Sequence, residues 1–247
     1  MKKIIYFLLI TAAWLYCEKI TVAVAANVQY AFEDIRAEFT KETGIEVEPI
    51  IGSSGKFTAQ IINGAPFDIF LSADTKYPKA IYDAKLASEQ PFVYAGGALV
   101  MWSMNLKEIN CSADYIAGDR IKKIAIANPD TAPYGRATVE FLKNIGVYDK
   151  ISSKLVYGES ISQANQYVLS SAVDFGFTSK STVMASDMKD KGKWVEVNDS
   201  TYAAIDQAVV LLKYGTDNHP ESSKKFYKFL KSKKAVNILR NYGYIVK

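Results

Sequence analysis

The stretch KITVAVAANVQYAFEDI, residues 19–35, decides the fold. Ile20 to Ala25 is a short, nearly all-apolar run rich in β-branched residues, the pattern of a strand buried on both faces. Asn27 stands where a helix N-cap belongs. Val28, Ala31, Phe32, Ile35 and Phe39 then recur at helical spacing until Gly44 stops the helix. Working outward, Ile45 to Ile51 reads as the next strand. Ser53-Ser54-Gly55 opens a second helix with Phe57, Ile61 and Ile62 inward, and Phe67 to Ala73 reads as a third strand. Alternation of this kind builds right-handed βαβ units over a parallel sheet.

A long apolar stretch, Tyr94 to Trp102, is broken by Gly96-Gly97 and opens a second α/β series. Its strands read at Ile124–Ala127, Lys154–Tyr157, Val173–Thr178 and Trp194–Val197, with a helix from Gly135 and an amphipathic one over 160–171. Ala204 to Leu212 is a second long apolar strand, and the tail turns helical from about Pro220 with Phe226, Phe229 and Leu230 inward. Two long strands bracketing a middle segment predict an α/β protein of two lobes joined by two hinge crossings, each lobe a mostly parallel sheet flanked by helices. The expected division is 18–95 plus 207–247 for lobe 1 and 96–206 for lobe 2. Hinged lobes of this type close around a ligand. A single doubly wound sheet is the competing arrangement.

At 247 residues, 49% hydrophobic and 23% charged, the chain has ample material for a core. One histidine excludes any site needing two imidazoles, and two cysteines cannot build a disulfide framework or a zinc ribbon. Residues 1–17 read as a secretory signal peptide: Lys2 and Lys3 precede an apolar run from Ile4 to Tyr16, too short to span a bilayer comfortably. A periplasmic location follows. Cys17 could instead carry a lipid, but Leu15-Tyr16 lacks the small residue a lipobox places before its cysteine. Without Lys2 and Lys3 the mature chain has 28 basic and 26 acidic residues, a net +2 that is no nucleic-acid footprint. Cys111 then stands alone as a packed thiol.

Four loops share one design. Ala25-Ala26-Asn27, Gly52-Ser53-Ser54-Gly55, Ala132-Pro133-Tyr134-Gly135 and Gly158-Glu159-Ser160-Ile161 each follow a strand and end where a helix begins. Helix N-termini carry unpaired N–H groups and about half a positive charge. Several converging on one cleft make an anion site without any lysine or arginine. The hydroxyls of Ser53 and Ser54 and the Asn27 amide add neutral donors. Taken one at a time, however, Asn and Ser before a helix are ordinary N-caps.

The blocks KITVAVAANVQYAFEDI, GSSGKFTAQIINGAPFDIFLSAD, NPDTAPYGRATVEFLKNIG and the closing YGYIVK resemble the molybdate/tungstate-binding proteins of ABC importers, in order and spacing, over nearly the whole mature chain. The resemblance implies a type II-like periplasmic-binding-protein fold that holds a tetrahedral oxyanion between its lobes and delivers it to an ABC permease, as a monomer. No catalysis, cofactor or direct metal ligand is implied, since molybdenum or tungsten arrives inside the anion. Matching motif positions put the contacts on Asn27, Ser54, Tyr134 and Ile161, with Ala26, Ser53 and Ser179 as second contacts. Tyr134 and Ile161 would act through backbone N–H groups. Many relatives have a tyrosine where this chain reads Phe177-Thr178-Ser179, and Ser179 reaches less far. Lys56 could approach the anion or be solvated.

A fully deprotonated dianion needs donors only, whereas phosphate near neutral pH keeps a proton that wants an acceptor. Sulfate shares the charge and must be rejected by size. Another oxyanion on the same fold, sulfate or phosphate, is therefore the nearest alternative. A secreted hydrolase is the more distant one: His219 sits at a helix start, and no nucleophile elbow or dinucleotide fingerprint is present. Asp68 and Asp74 suit capping or inter-lobe packing. The lysines at 224, 225, 228, 231, 233 and 234 read as a solvated helical face.

Overall fold

The computed structural model describes residues 18–246; residues 1–17, read above as a signal peptide, lie outside the described residues, and with them the question of a lipid on Cys17. The first lobe starts with β1 (Lys19–Ala25), a 3₁₀ turn (Ala26–Val28) and α1 (Gln29–Thr43). It continues through β2 (Glu46–Gly52), α2 (Ser54–Ile62), β3 (Ile69–Leu71), α3 (Lys76–Asp83) and β4 (Phe92–Gly97). The second lobe holds β5 (Leu99–Ser103), α4 (Ala113–Ala117), β6 (Ile124–Ala127), α5 (Pro133–Asn144) and α6 (Tyr148–Ile151). It ends with β7 (Leu155–Gly158), α7 (Ile161–Leu169), β8 (Phe175–Ser179), α8 (Lys180–Met184) and β9 (Lys193–Glu196). The chain then returns through β10 (Ile205–Leu211) to the first sheet and finishes as α9 (Lys213–Asn218), α10 (Pro220–Phe229) and α11 (Lys233–Asn241).

The two sheets have matching plans, β2-β1-β3-β10-β4 and β7-β6-β8-β5-β9. In each, four strands share one direction and one, β10 or β5, runs against them, antiparallel to both of its neighbours. The two-lobed α/β expectation holds, with the mostly parallel sheets refined to mixed ones. The antiparallel pairings involve β4, β5, β9 and β10, on either side of the inter-lobe crossings. The long apolar stretch 94–102 is thus two strands in two sheets, divided at Ala98. β5 and β10, which enter their sheets straight from a crossing, come in from the opposite end and cannot continue the parallel βαβ series.

Each sheet buries both faces. Ile20, Val22 and Val24 pack under α1, where Phe39 meets Phe226 edge to face at 4.9 Å, while Ala23 and Phe70 pack under α2. The second lobe does the same with Phe175 and Phe177 on one face and Trp102 and Val168 on the other. Because β1, β2, β6 and β7 end at the same cleft, the loops after them, and the helix starts they lead to, converge there.

Candidate functional site

Ala26, Asn27, Ser53, Ser54, Tyr134 and Ile161 line one cavity between the lobes, framed by Ala25, Gly52, Ala73, Ala132 and Pro133. The space is about 220 Å³ with its open mouth included, and no acidic or basic side chain lines it. Six of the seven sequence-derived site residues therefore come together. Ser179 does not line the cavity. It is fully buried, with its Oγ 2.9 Å from both Thr182 Oγ1 and Ser181 Oγ.

Each lining loop presents backbone donors for a local reason. In α5, Pro133 occupies the first helical position and has no N–H, and the first intrahelical bond starts at Arg136. Tyr134 N–H thus heads the helix without an intrahelical partner. In α7, Ser160 caps by accepting from Gln163 N at 3.4 Å, leaving Ile161 N–H at the first position. In α2, the intrahelical ladder begins at Phe57, while Gly55 N–H reaches across the cleft to Thr131 O at 2.9 Å.

The side chains of the first lobe behave differently from ordinary caps. Asn27 does not cap α1, which corrects the sequence reading: α1 starts two residues later, after the 3₁₀ turn. Its Nδ2 donates to Gln207 Oε1 at 2.8 Å and to Tyr244 Oη at 3.0 Å, which uses both amide hydrogens. The donor left at this position is the backbone N–H at the head of the 3₁₀ turn, not the side-chain amide. Ser53 precedes α2 but makes no capping bond, and its buried Oγ has no hydrogen-bond partner. Ser54 Oγ accepts from Ala73 N–H at 3.0 Å, so its own proton remains to be donated.

A neutral network lies behind these loops. Gln207 Oε1 also accepts from Tyr94 Oη at 2.9 Å, and Gln207 Nε2 donates to Tyr134 Oη at 3.2 Å. Tyr244 Oη and Ser181 Oγ both donate to Asn27 O, at 3.0 and 2.7 Å. Burial pushes the Tyr94, Tyr134 and Tyr244 hydroxyls above the ordinary tyrosine value. Unfolded tyrosines ionise near pH 10, so the stability these three carry is intact below about pH 10 and drains away as pH rises beyond it. Motif reading missed this network. Its one sequence signal was Asp206-Gln207, a polar pair inside an otherwise apolar strand.

Several other residues now have partners. Lys56 pairs with Glu159 across the cleft, and Arg136 pairs with Asp74. Asp68 is buried within the first lobe, accepting from Thr21 N–H at 2.6 Å and facing His219 Nδ1 at 2.7 Å. The pair ties β1 to the α9–α10 junction, which accounts for the sole histidine. Burial pushes the Cys111 thiol up to about 11, the wrong direction for a nucleophile. Among the described residues no group of His, Cys, Asp or Glu gathers that could hold a metal ion, and no helix is long and apolar enough to cross a membrane.

Residues 20–245 match the family model for bacterial extracellular solute-binding proteins. The molybdate-binding protein ModA of Rhodobacter capsulatus is 38% identical over 228 residues, 92% of this chain and 88% of the relative. The periplasmic molybdate-binding protein of Azotobacter vinelandii superposes with a TM-score of 0.86 at 32% identity, covering 92% of this chain and 99% of that one. The sulfate-binding protein SubI of Mycobacterium tuberculosis shares the fold, with a TM-score of 0.76 at 14% identity over 92% of this chain and 86% of its own.

Proposed function

The chain belongs to the bacterial extracellular solute-binding proteins, and from that premise we propose that it captures molybdate, and also tungstate, between its lobes and delivers it to an ABC permease. The relatives at 32–38% identity are binding proteins, and the role is capture rather than catalysis. Export by the 1–17 segment places this work outside the cytoplasmic membrane, and the protein acts as a monomer with no cofactor.

The observation that carries the reading is the Ser53 hydroxyl. It lines the cavity, is buried, and has neither a cap nor any other partner. A buried orphan of this kind costs about 1–3 kcal/mol, a cost that an anion seated beside it would remove. Around it, the N–H groups of Asn27, Ser54, Tyr134 and Ile161 and the free proton of Ser54 supply further donors. Ala26 and Ser53 complete the wall, whereas Ser179 has no place in it. With no carboxylate in the lining, a fully deprotonated dianion meets nothing that repels it. Hydrogen phosphate would find no carboxylate to take its proton.

Sulfate has the same charge and shorter bonds, and the fold alone does not discriminate, as the likeness to a sulfate-binding protein makes plain. Discrimination must come from donor spacing. Thermal melts of the mature protein with molybdate, tungstate, sulfate and phosphate test this. A ligand at about 100 times its dissociation constant adds about 2.7 kcal/mol, which moves the midpoint by several degrees. Molybdate and tungstate should each produce that shift. A flat response to both, or an equal one to sulfate, overturns the assignment.

A further inference from the structure

Gln207 is wholly buried, stands on β10 at the return crossing between the lobes, and does not line the cavity. Its amide nevertheless touches both halves of the site. Oε1 accepts from Asn27 Nδ2 at 2.8 Å and from Tyr94 Oη at 2.9 Å, both in the first lobe. Nε2 donates to Tyr134 Oη at 3.2 Å, in the second lobe. The register of β10 against β4 shifts between Gln207 and Ala208, an irregularity of the kind that re-aims a side chain. Opposite, Gly97 leaves the room this requires. A Cβ there would stand 2.1 Å from Tyr134 Oη and 2.4 Å from Gln207 Nε2.

We propose that Gln207 is a positioning residue for oxyanion capture, tying Asn27 of one lobe to Tyr134 of the other so that the donors of both loops face one ligand. The inference rests on the oxyanion-site reading above. The physical argument is one of satisfaction. A primary amide holds two donor hydrogens and one carbonyl, and here the carbonyl serves the first lobe while the amino group serves the second. Separating the lobes breaks the Tyr134 bond and leaves a buried donor short, whereas closing them restores it. Gln207 thereby favours the closed form that retains the ligand, and acts on the dissociation step without touching the anion.

The experiment compares molybdate affinity and dissociation rate for the wild-type mature protein, Gln207→Leu, Tyr134→Phe and the double variant, with ligand-free melting temperatures beside them. Tyr134→Phe removes only the hydroxyl and keeps the backbone N–H assigned to the ligand, so it also serves if Gln207→Leu folds poorly. Each single change should weaken binding about tenfold, chiefly through faster release. The double variant should be within about twofold of the weaker single, because both break one linkage. Unchanged affinity in Tyr134→Phe overturns the proposal, as does a double variant whose losses multiply. A lower ligand-free melting temperature with wild-type release rates also overturns it, since that marks a purely structural residue. If wild-type protein fails to bind molybdate, the site reading itself has failed, and that is seen in the first titration.

Discussion

The floor and the rim of the cleft join the same two lobes by opposite means. At the floor, Gln207, Asn27, Tyr134, Tyr244 and Ser181 are linked by neutral hydrogen bonds, with Gln207 and Asn27 at most 1% exposed. At the rim the links are ion pairs between partly exposed side chains. The Lys56 and Glu159 side chains are 48% and 58% exposed, and those of Arg136 and Asp74 are 34% and 15% exposed. Tyr77 Oη adds a bond to Asp130 O at 3.1 Å, and Ser162 Oγ one to Gln29 Oε1 at 3.0 Å. Water and salt reach the rim, where exposed pairs are worth about 0–1 kcal/mol, and hardly reach the floor. Geometry for the ligand should therefore be set at the floor, and the rim should trim the closing equilibrium.

The largest effect should come where rim and ligand loop share an atom. Gly55 donates to Thr131 O across the cleft, and a Cβ there would lie 2.9 Å from Thr131 Cα and 2.7 Å from Tyr77 Oη. Gly55→Val wedges the lobes apart at a backbone that cannot yield. Affinity for molybdate should fall by about 3 kcal/mol, the upper end of the cost of overfilling a packed space. Solution scattering should show a larger radius than wild type at the same molybdate concentration. Wild-type affinity with wild-type compaction would mean closure tolerates a gap here. Next comes Ser54→Ala, which removes a donor from the ligand and an acceptor from Ala73 N–H. Calorimetry should register about 1–3 kcal/mol of lost binding, because a charged acceptor is left short. If only the ligand-free melting point falls, Ser54 belongs to the scaffold alone.

The same contrast explains what could be read from the chain. The strand–helix rhythm from Ile20 to Ala73 followed from periodicity, because strands buried on both faces leave unbroken β-branched runs. The convergence of the four candidate loops on one cleft was implied only by the family resemblance and is seen in the fold. The loops themselves followed from loop chemistry, since Gly, Ser, Asn and Pro before a helix are visible in one dimension. Their partners were not. Asn27 looked like an N-cap, and only the position of Gln207, 180 residues away, shows that its amide is spent elsewhere. Tyr244 lies in the closing YGYIVK block, yet nothing local says its hydroxyl meets Asn27. Lys56 could have approached the anion or been solvated until the folded chain placed Glu159 opposite it, and nothing local pairs Arg136 with Asp74. Local patterns specify elements and donors; long-range pairing specifies which donors stay free.

The rim itself supplies the smaller effects. Arg136 pairs with Asp74, donates to Tyr77 Oη at 3.3 Å and stacks over the Tyr77 ring at 5.3 Å. Arg136→Met keeps much of the side-chain bulk and deletes the charge. Binding should weaken by about 1 kcal/mol at low salt, the ceiling for a pair this accessible. The deficit should shrink as sodium chloride rises toward about 1 M, where the screening length falls to about 3 Å. A deficit that ignores salt would place Arg136 with the floor and collapse the distinction.

Lys56→Met is the finest discriminator, because Lys56 is the cation nearest in sequence to the serines of the site. If its ammonium served the anion, removing it would weaken binding by more than the loss of Ser54, since it would delete a full charge rather than one hydroxyl. The structure instead points it at Glu159, with both partners about half exposed. The pair then contributes only to closure, and it is replaceable by water. Molybdate affinity should stay within about 0.5 kcal/mol of wild type at any salt concentration. Glu159→Gln should do no more, because Lys56 left alone at the rim is fully hydratable. A loss of affinity in Lys56→Met without one in Glu159→Gln would move the ammonium from the rim to the ligand, and with it the origin of the site's selectivity for a dianion.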